Sequence, residues 1–424
     1  MRVIRKARFT LAVVCKRWRE VALSSQSLWS VILIAPRKKS GFHSDLFNEE
    51  LNRSGNSLLS VLITDPFGLP RNPRPEIIAG KIEIVRAAKE VLPRCKDIII
   101  HGNQVLVARM LSPLSDVPLP NLQSIYASSH LNDISPHINR IDLSSAVALS
   151  SLRFHFSAGE HPIRLSVSPD ANLRCVEVSS PIVPQDIVDI LAHAPLLEEF
   201  TWTTLESIPS QSLQKPLPQM TYLRQLVLYG EIPLSILGSF QAPQLTILEI
   251  IYRGPDDSAA PSLPFPTLAS ISFPHLRILY IDGYRRMIRN YEPSIVGFLR
   301  AHPTLQVVSL SEHVTEPLVE ALCAIPSLSY VSSSNDEDND THALPLIRKW
   351  HARSISSQGC RLPALYLDQV HYPNLWDSEE LRNDPELLEF AQKILVYVMF
   401  SQREGLVYWG NFLRTMGHSS PGAM

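Results

Sequence analysis

Residues 243–250, Pro-Gln-Leu-Thr-Ile-Leu-Glu-Ile, and residues 274–281, Pro-His-Leu-Arg-Ile-Leu-Tyr-Ile, share one pattern. In both, a proline stands two positions before a leucine, and apolar residues follow three and five positions after that leucine. This alternation predicts a β-strand with one buried face. The proline predicts that a preceding helix stops, because proline lacks the amide hydrogen that a helix interior needs. Each stretch is therefore predicted to end a helix or turn and to begin a strand.

Further copies of this unit occupy the middle of the chain, and those at Leu149, Leu173 and Leu223 lack the proline. Successive leading leucines are 27, 24, 24, 26, 22, 31, 29 and 23 residues apart. This spacing resembles that of leucine-rich repeats, whose period is about 20 to 29 residues. The resemblance implies an α/β solenoid with a parallel inner sheet and outer helices, because one strand and one helix cannot bury their apolar faces alone. The leading leucines are Leu122, Leu149, Leu173, Leu197, Leu223, Leu245, Leu276, Leu305 and Leu328.

The repeat is irregular at its ninth position, where a leucine-rich repeat normally has asparagine or cysteine. Without that ladder we expect varied outer helices and loops. Helices are predicted over residues 187–194, before Pro195, and over residues 318–325, before Pro326, with Thr315 as the N-cap of the second. The alternative is a chance periodicity of apolar residues in a multi-domain α/β protein. The residues at the ninth position are His130, Ser157, Pro181, Leu205, Glu231, Arg253, Tyr284, His313 and Asp336.

The predicted solenoid covers residues 35–334. It begins with two looser units, a helix around Phe47 and Leu51 before a strand at 58–64, and a helix at 77–92 before a strand at 98–100. Residues 335–341 are predicted to be an acidic loop that does not bind calcium. In a calcium loop that began at Asp336, the sixth position would be Thr341 instead of glycine and the twelfth would be Ile347 instead of glutamate. A C-terminal coil with helices, residues 342–416, includes a helix at 344–355, a strand at 362–368 and a helix at 385–400, and residues 417–424 form a flexible tail.

A second informative stretch lies at residues 14–34. Apolar residues recur there at three- and four-residue steps, which predicts an amphipathic helix anchored by Trp18, and Leu28 and Trp29 are predicted to pack back after the helix ends. The spelling Val-Cys-x-x-Trp-Arg-x-Val-Ala followed by Leu-Trp-Ser-x-Ile resembles the C-terminal half of an F-box, in the form common among fungal F-box-like proteins. The predicted apolar face consists of Leu11, Val14, Cys15, Trp18, Val21 and Ala22.

This resemblance implies that residues 1–34, a truncated F-box-like segment, bind the Skp-type adaptor of a cullin-RING ubiquitin ligase while the rest of the chain recruits a protein substrate. An F-box normally opens with a Leu-Pro-x-Glu helix, which does not precede Val14 in this sequence, so weak adaptor binding is expected. The alternative is that Trp18 and Trp29 are simply core aromatics. The candidate adaptor-interface or F-box core residues are Leu11, Val14, Cys15, Trp18, Val21, Leu28 and Trp29.

Composition narrows the class of protein. Of the 424 residues, 45% are apolar and 19% are charged, which is typical of a folded chain. A net charge of -2 and a pI near 6.7 give no general attraction to nucleic acid or to an anionic membrane. The five cysteines form no Cys-x-x-Cys pair, so they are expected to be buried free thiols rather than disulfides or zinc ligands. We expect a soluble cytoplasmic or nuclear protein.

Chemical motifs are scarce. The sequence has no Gly-rich phosphate loop and no Gly-x-Ser-x-Gly or His-Glu-x-x-His motif, so no cofactor or metal is expected. Trp202 and Tyr252 are expected either to pack or to bind a partner. The predicted function is a non-enzymatic ubiquitin-ligase adaptor. The alternatives are an interaction scaffold without a ubiquitin-ligase connection and an enzyme whose site converges only in three dimensions. The dispersed histidines, expected at the surface and without metal-ligand spacing, are His101, His130, His155, His313 and His371.

Overall fold

The computed structural model divides the chain into two compact units, unit 1 (Met1–Tyr222) and unit 2 (Leu223–Met424). The acidic loop at 335–341 and the tail at 417–424 lie outside the residues that the structure describes. The described residues are 10, 13, 15–35, 44–64, 86–87, 89–102, 107, 110–129, 140–156, 163–179, 182–204, 218–230, 240–251, 272–282, 285–310, 315–333, 347–348, 350–352, 355, 364–368 and 379–398.

Unit 1 contains a parallel sheet in which the strand order is β1-β2-β3-β4-β6-β8-β9. Strands β5 and β7 form a separate two-stranded parallel sheet. The helices are α1 (Lys16–Ser24), α2 (Ser44–Ser54) and α3 (Pro184–Ala192). The strands are β1 (Val31–Ile34), β2 (Leu59–Thr64), β3 (Cys95–Gly102), β4 (Ser124–Ser129), β5 (Arg140–Leu143), β6 (Ser151–His155), β7 (Arg164–Val167), β8 (Cys175–Ser179) and β9 (Glu199–Thr204).

Unit 2 contains a parallel sheet in which neighbouring strands follow each other along the chain from β10 to β16. The helices are α4 (Arg285–Ala301), α5 (Glu316–Cys323), α6 (Glu379–Arg382) and α7 (Pro385–Ile394). The strands are β10 (Gln225–Gly230), β11 (Ile247–Ile251), β12 (Ile278–Asp282), β13 (Val307–Leu310), β14 (Tyr330–Ser333), β15 (Ala364–Asp368) and β16 (Leu395–Val398).

The leading leucines mark the strands of both sheets. Each of the strands β4, β6 and β8 to β14 begins two residues after its leucine. All of these leucines are buried, and the most accessible of them, Leu328, is only 6% exposed. The apolar residues three and five positions after Leu245, which are Leu248 and Ile250, are buried as well. The predicted α/β class and the parallel sheet are therefore confirmed.

A short turn precedes most of the leading leucines. The amide of Leu276 donates to the carbonyl oxygen of Phe273 over 3.0 Å, three residues earlier. One residue after most of the leading leucines, the backbone joins neighbouring repeats: the carbonyl oxygen of Thr246 accepts from Arg277 at 2.9 Å and from Ile278 at 3.0 Å. Equivalent pairs recur along each sheet, for example at the carbonyl oxygen of Arg277. Neighbouring repeats are thus joined at the same backbone position.

The predicted helices end where proline requires it. Helix α3 ends before Pro195 and helix α5 ends before Pro326, as expected. Thr315 occupies the N-cap of α5, although its side chain makes no capping hydrogen bond. The helix predicted at 385–400 is correct only to Ile394, because β16 follows and pairs in parallel with β15. A short apolar run suits a buried strand as well as a helix.

Elements before the regular repeats also agree with the prediction in part. The strand predicted at 58–64 is β2, and the strand predicted at 98–100 is the centre of β3. Strand β1 pairs in parallel with β2, so residues 31–34 form the first strand of the sheet in unit 1. Among the described residues, no helix is long and apolar enough to cross a membrane.

Candidate functional site

Trp29 packs the N-terminal segment against α2 in unit 1. Its side chain is 0% exposed, and its indole N–H donates a hydrogen bond to the carbonyl oxygen of Ala22 over 2.7 Å. The guanidinium group of Arg53, on α2, lies 4.5 Å from the centre of the Trp29 ring. At this distance a cation–π attraction is favourable. The end of helix α1 is therefore held against α2.

Among the described residues, most of the predicted apolar face of α1 is exposed. Trp18 is 53% exposed and Val21 is 52% exposed. Cys15 is also exposed, and its sulfur caps the helix by accepting from the amide of Trp18 over 3.5 Å. Of the apolar face that the sequence predicts for this helix, Ala22 is the one buried member in the part of the chain that the structure describes. The expectation that Trp18 anchors the helix is wrong, and so is the expectation that Cys15 is a buried thiol.

Trp18 and Val21 form what we call the Trp18–Val21 patch. They are three residues apart on α1, a spacing that places two side chains on the same side of a helix. Leu28 is half-buried at the edge of the same segment. Leu11 and Val14, which complete the predicted interface, lie outside the described residues. The segment thus combines one buried tryptophan with one exposed tryptophan.

A second candidate site lies on what we call the open face, the half-exposed side of the parallel sheet in unit 1. Tyr126 on β4 stands between two imidazole rings there, with centroid distances of 5.0 Å to His101 and 5.3 Å to His155. Nδ1 of His101 is 2.7 Å from Oγ of Ser128, and Nδ1 of His155 is 3.1 Å from Oγ of Ser179. Each histidine is therefore held by a serine of the neighbouring strand.

Charged groups continue this cluster across the next strands. Nε of Arg153, on β6, lies 3.7 Å from Oε2 of Glu177, and its Nη2 lies 4.0 Å from Oε2 of Glu199. The same Nη2 donates to the sulfur of Cys175 over 3.3 Å. Nε2 of His155 is 3.3 Å from Oε1 of Glu177. The guanidinium is thus surrounded by two carboxylates and a thiol.

These contacts affect the acidity of both central groups. Burial raises the pKa of the Cys175 thiol above its ordinary value, and this effect exceeds the lowering caused by Arg153. Burial alone would lower the pKa of Arg153, but the neighbouring Cys175, Glu177 and Glu199 raise it overall. Cys175 therefore stays a protonated thiol, which is a poor nucleophile, because the thiolate is the reactive form.

Ser179, His155 and Glu177 are spaced like a nucleophile, a base and an orienting carboxylate. However, Oγ of Ser179 also donates to the carbonyl oxygen of Phe154 over 3.2 Å. A hydroxyl has one hydrogen, so when that bond forms the serine has none to give to the imidazole. The arrangement fits a structural hydrogen-bond network better than an activated nucleophile.

The histidines that the sequence presents as dispersed are partly brought together. His101 and His155 flank Tyr126, whereas His130, His313 and His371 lie outside the described residues. The signal for this grouping was the repeat itself: His155 follows Ser128 by 27 residues, the interval between Leu122 and Leu149, and the strand register pairs these two residues. Within the described residues, no group of three His, Cys, Asp or Glu side chains is placed to hold a metal ion.

Two aromatic residues were singled out from the sequence as candidates for packing or partner binding. Trp202 is 1% exposed, so its side chain packs in the core, and Tyr252 lies outside the described residues. In unit 2, considered by itself, Glu249 and Tyr280 are paired neighbours on the half-exposed side of β11 and β12. The hydroxyl of Tyr280 donates to Asp282 over 3.4 Å. That side also combines carboxylates with aromatic rings.

Comparison with known proteins gives no independent assignment. No model of a known protein family matches this chain. A search of curated proteins found no matching relative either. A functional assignment therefore has to rest on the residues and on the geometry described above.

Proposed function

We propose that this chain is a non-enzymatic adaptor that recruits a protein substrate to a Skp–cullin–F-box ubiquitin ligase. The F-box-like segment, residues 1–34, binds the Skp-type adaptor. The repeat units are coils of an irregular leucine-rich-type solenoid and bind the substrate. The observation that carries the proposal is the exposed Trp18–Val21 patch on a helix whose end Trp29 holds against α2.

The energetics of the patch support a docking role. Burying an apolar side chain of this size removes it from water and stabilises the buried state by about 1.5 to 3 kcal/mol. Trp18 is left 53% exposed although the next tryptophan, Trp29, is fully buried. Tryptophan is enriched among the few residues that dominate the binding energy of protein interfaces. Trp18 is therefore expected to gain most of its burial in a complex.

The chemistry of unit 1 favours binding over catalysis. Cys175 has a raised pKa, and Ser179 donates to a backbone carbonyl. A nucleophile needs either a lowered pKa or a base that accepts its proton. The open face instead offers half-exposed rings and charges on parallel strands, which suits recognition of another chain.

Titration calorimetry of the chain with a Skp-type adaptor tests the proposal. Truncating the central tryptophan of an interface typically weakens binding by about 2 kcal/mol or more, roughly 30-fold. Trp18→Ala and Val21→Ala should therefore lower the affinity strongly without changing the melting temperature. Arg17→Ala, on the same helix, is the matched control and should change the affinity far less.

Two outcomes would count against this role. If the chain does not bind a Skp-type adaptor at all, the interaction scaffold without a ubiquitin-ligase connection becomes the better assignment. If Trp18→Ala binds as well as the parent chain, the adaptor contacts a different surface and the Trp18–Val21 patch is not the docking element.

A further inference from the structure

We infer that the open face of unit 1 recognises an extended protein segment that carries an aliphatic residue and, four to six positions away, a lysine or arginine. This inference deepens the substrate-recruiting role proposed above and rests on it. It names the chemistry of the segment that the sheet accepts. It follows from the order of side chains across the strands.

The open face carries more negative than positive charge. Among the described residues of the open face, the carboxylates are Asp97, Glu177 and Glu199, the guanidinium is that of Arg153, and the exposed Lys96 lies beside Asp97 at the start of β3. The three carboxylates outnumber the two cationic side chains and leave a formal charge of -1. Arg153 is enclosed by acidic partners. A cationic side chain is therefore the complementary ligand, and an anionic ligand such as nucleic acid is repelled.

One row of side chains on the open face is apolar at its β1 end. The strand register aligns Leu33, Leu62, Ile99 and Tyr126 on neighbouring strands β1, β2, β3 and β4. All four are half-exposed. Such a row of apolar side chains beside water offers a site for an aliphatic group. The next two residues of the same row, Arg153 and Glu177, are charged.

The distance between the apolar residues and the carboxylates sets the length of the segment. Neighbouring strands lie about 4.8 Å apart, so Glu177 on β8 lies roughly 14 Å from Ile99 on β3, and Glu199 on β9 lies roughly 19 Å from it. An extended chain advances about 3.3 Å per residue. A segment that crosses the strands would span these distances in about four to six residues. Tyr126, between its two imidazole neighbours, lies on the path and can contact the intervening backbone or an alkyl stem.

Labelled synthetic peptides titrated against the full chain test this inference by fluorescence polarisation. The probes carry one leucine and one arginine separated by two to eight glycine and serine residues, and a matched set carries glutamate in place of arginine. Affinity should be highest when the arginine is four to six positions from the leucine. At that spacing it should exceed the affinity of the glutamate peptide at least 10-fold, and added salt should reduce the difference.

The variant Glu177→Gln/Glu199→Gln should remove most of the preference for arginine. Glu198→Gln is the matched control, because Glu198 neighbours Glu199 on the chain but pairs with Arg174 at 2.7 Å at the rim. It should keep the preference within 2-fold. The melting temperature checks folding, and if the double variant unfolds, Glu199→Gln alone is used, since its carboxylate is 4.0 Å from Arg153.

The inference is overturned if no peptide binds, if arginine and glutamate peptides bind equally, or if the separation has no effect. It is overturned equally if Glu198→Gln acts like the double variant, or if a single-stranded oligonucleotide competes for the face. Adaptor binding is measured separately with the parent chain, and Trp18→Ala serves as its weakened control. Peptide selectivity without adaptor binding would leave this inference standing and remove only the ubiquitin-ligase role.

Discussion

The backbone N–H of Phe273 donates a hydrogen bond to Nε2 of His302 over 3.0 Å, and both residues stand three positions before a leading leucine. His302 is 1% exposed, and its Nδ1 donates to the carbonyl oxygen of Phe298 over 2.7 Å. The ring is therefore neutral, with its single hydrogen on Nδ1. At the equivalent position of other repeats the residue is apolar, as at Ala242 and Ala194. An imidazole here joins two successive repeats of unit 2.

This pairing predicts a loss of stability in acid. Burial lowers the pKa of His302 below 6.5, so between the two values the unfolded chain binds a proton that the folded chain does not. The stability that the buried, neutral imidazole contributes to the folded chain is fully present above pH 6.5 and is lost as the pH falls below that value. Protonation would also place an N–H against the amide of Phe273. Urea unfolding at pH 7.5 and pH 5.5 should show a larger loss for the parent than for His302→Gln.

The exposed His193 provides the control for this titration. His193→Gln should keep the acid sensitivity of the parent chain, because His193 is exposed and does not join two repeats in the core. Equal pH dependence for the parent and for His302→Gln would show that His302 is not the group responsible.

The two tryptophans of the N-terminal segment should behave differently when truncated. Trp29→Ala removes a fully buried ring, its hydrogen bond to Ala22 and its contact with Arg53, and should destabilise the segment by about 3 to 5 kcal/mol. Trp18→Ala removes an exposed ring and should change stability by less than about 1 kcal/mol. Limited proteolysis, with cleavage mapped to the first 40 residues, measures the difference. Equal cleavage of both variants would contradict the burial of Trp29.

Whether a feature of the fold or of the candidate sites could be predicted from the sequence depended on what its residues contact. Leu245 and Leu276 identified their strands because a strand alternates sides at every residue, so burial repeats within a short stretch. Trp18 was different. Periodicity predicts that its side of the helix is apolar, but it does not distinguish a side that packs within the chain from a side that is left for a partner.

The open face was the part least accessible to sequence reasoning. His101 and His155 are far apart in the chain and meet around Tyr126 only because the strands lie in register. The end of α7 at Ile394 was missed because its apolar continuation fits either a helix or a buried strand. Strands β5 and β7 were missed because they lie outside the Leu-x-x-apolar pattern.

Gly55 provides a local test of the junction between α2 and β2. Its φ of +51° is a left-handed conformation, which disfavours a Cβ atom. A Cβ there would also lie 2.5 Å from Nε2 of Gln26. Gly55→Ala should therefore destabilise the chain by about 1 to 2 kcal/mol, mainly through the backbone, because the Gln26 side chain can move aside. Thermal unfolding measures this change.

The double variant Gly55→Ala/Gln26→Ala separates the two causes. It removes the steric contact but not the backbone strain, so it should recover only a small part of the loss caused by Gly55→Ala, measured relative to Gln26→Ala alone. Full recovery would mean that the contact with Gln26, rather than φ, dominates.

The two contacts of Asp186, on α3, should contribute unequally to the free energy of unfolding. Its Oδ2 accepts from the amide of Leu165 over 2.8 Å, and its Oδ1 lies 3.0 Å from Nη2 of Arg164. Asp186 is 5% exposed, whereas the Arg164 side chain is 63% exposed. Asp186→Ala leaves a buried amide without its acceptor and should cost about 1 to 3 kcal/mol. Arg164→Ala removes an exposed ion pair and should cost about 1 kcal/mol or less.

Asp186→Asn completes this comparison, because an amide oxygen can still accept from Leu165. It should be more stable than Asp186→Ala in chemical denaturation. If Arg164→Ala proved as destabilising as Asp186→Ala, the ion pair would be the main contact between α3 and β7.

The carbonyl oxygens one residue after the leading leucines determine where the chain tolerates insertions and deletions. The interval from Leu276 to the start of β12 is two residues, as it is at the other leading leucines, whereas the interval between successive leucines varies from 22 to 31. One residue inserted between Leu276 and Ile278 would break the paired bonds from Thr246 and turn every later side chain of that strand to the opposite side. The same residue inserted after Asp282 would lengthen only the return to the next repeat. Changes in length can therefore accumulate after the strands, while the two positions before each strand tolerate none.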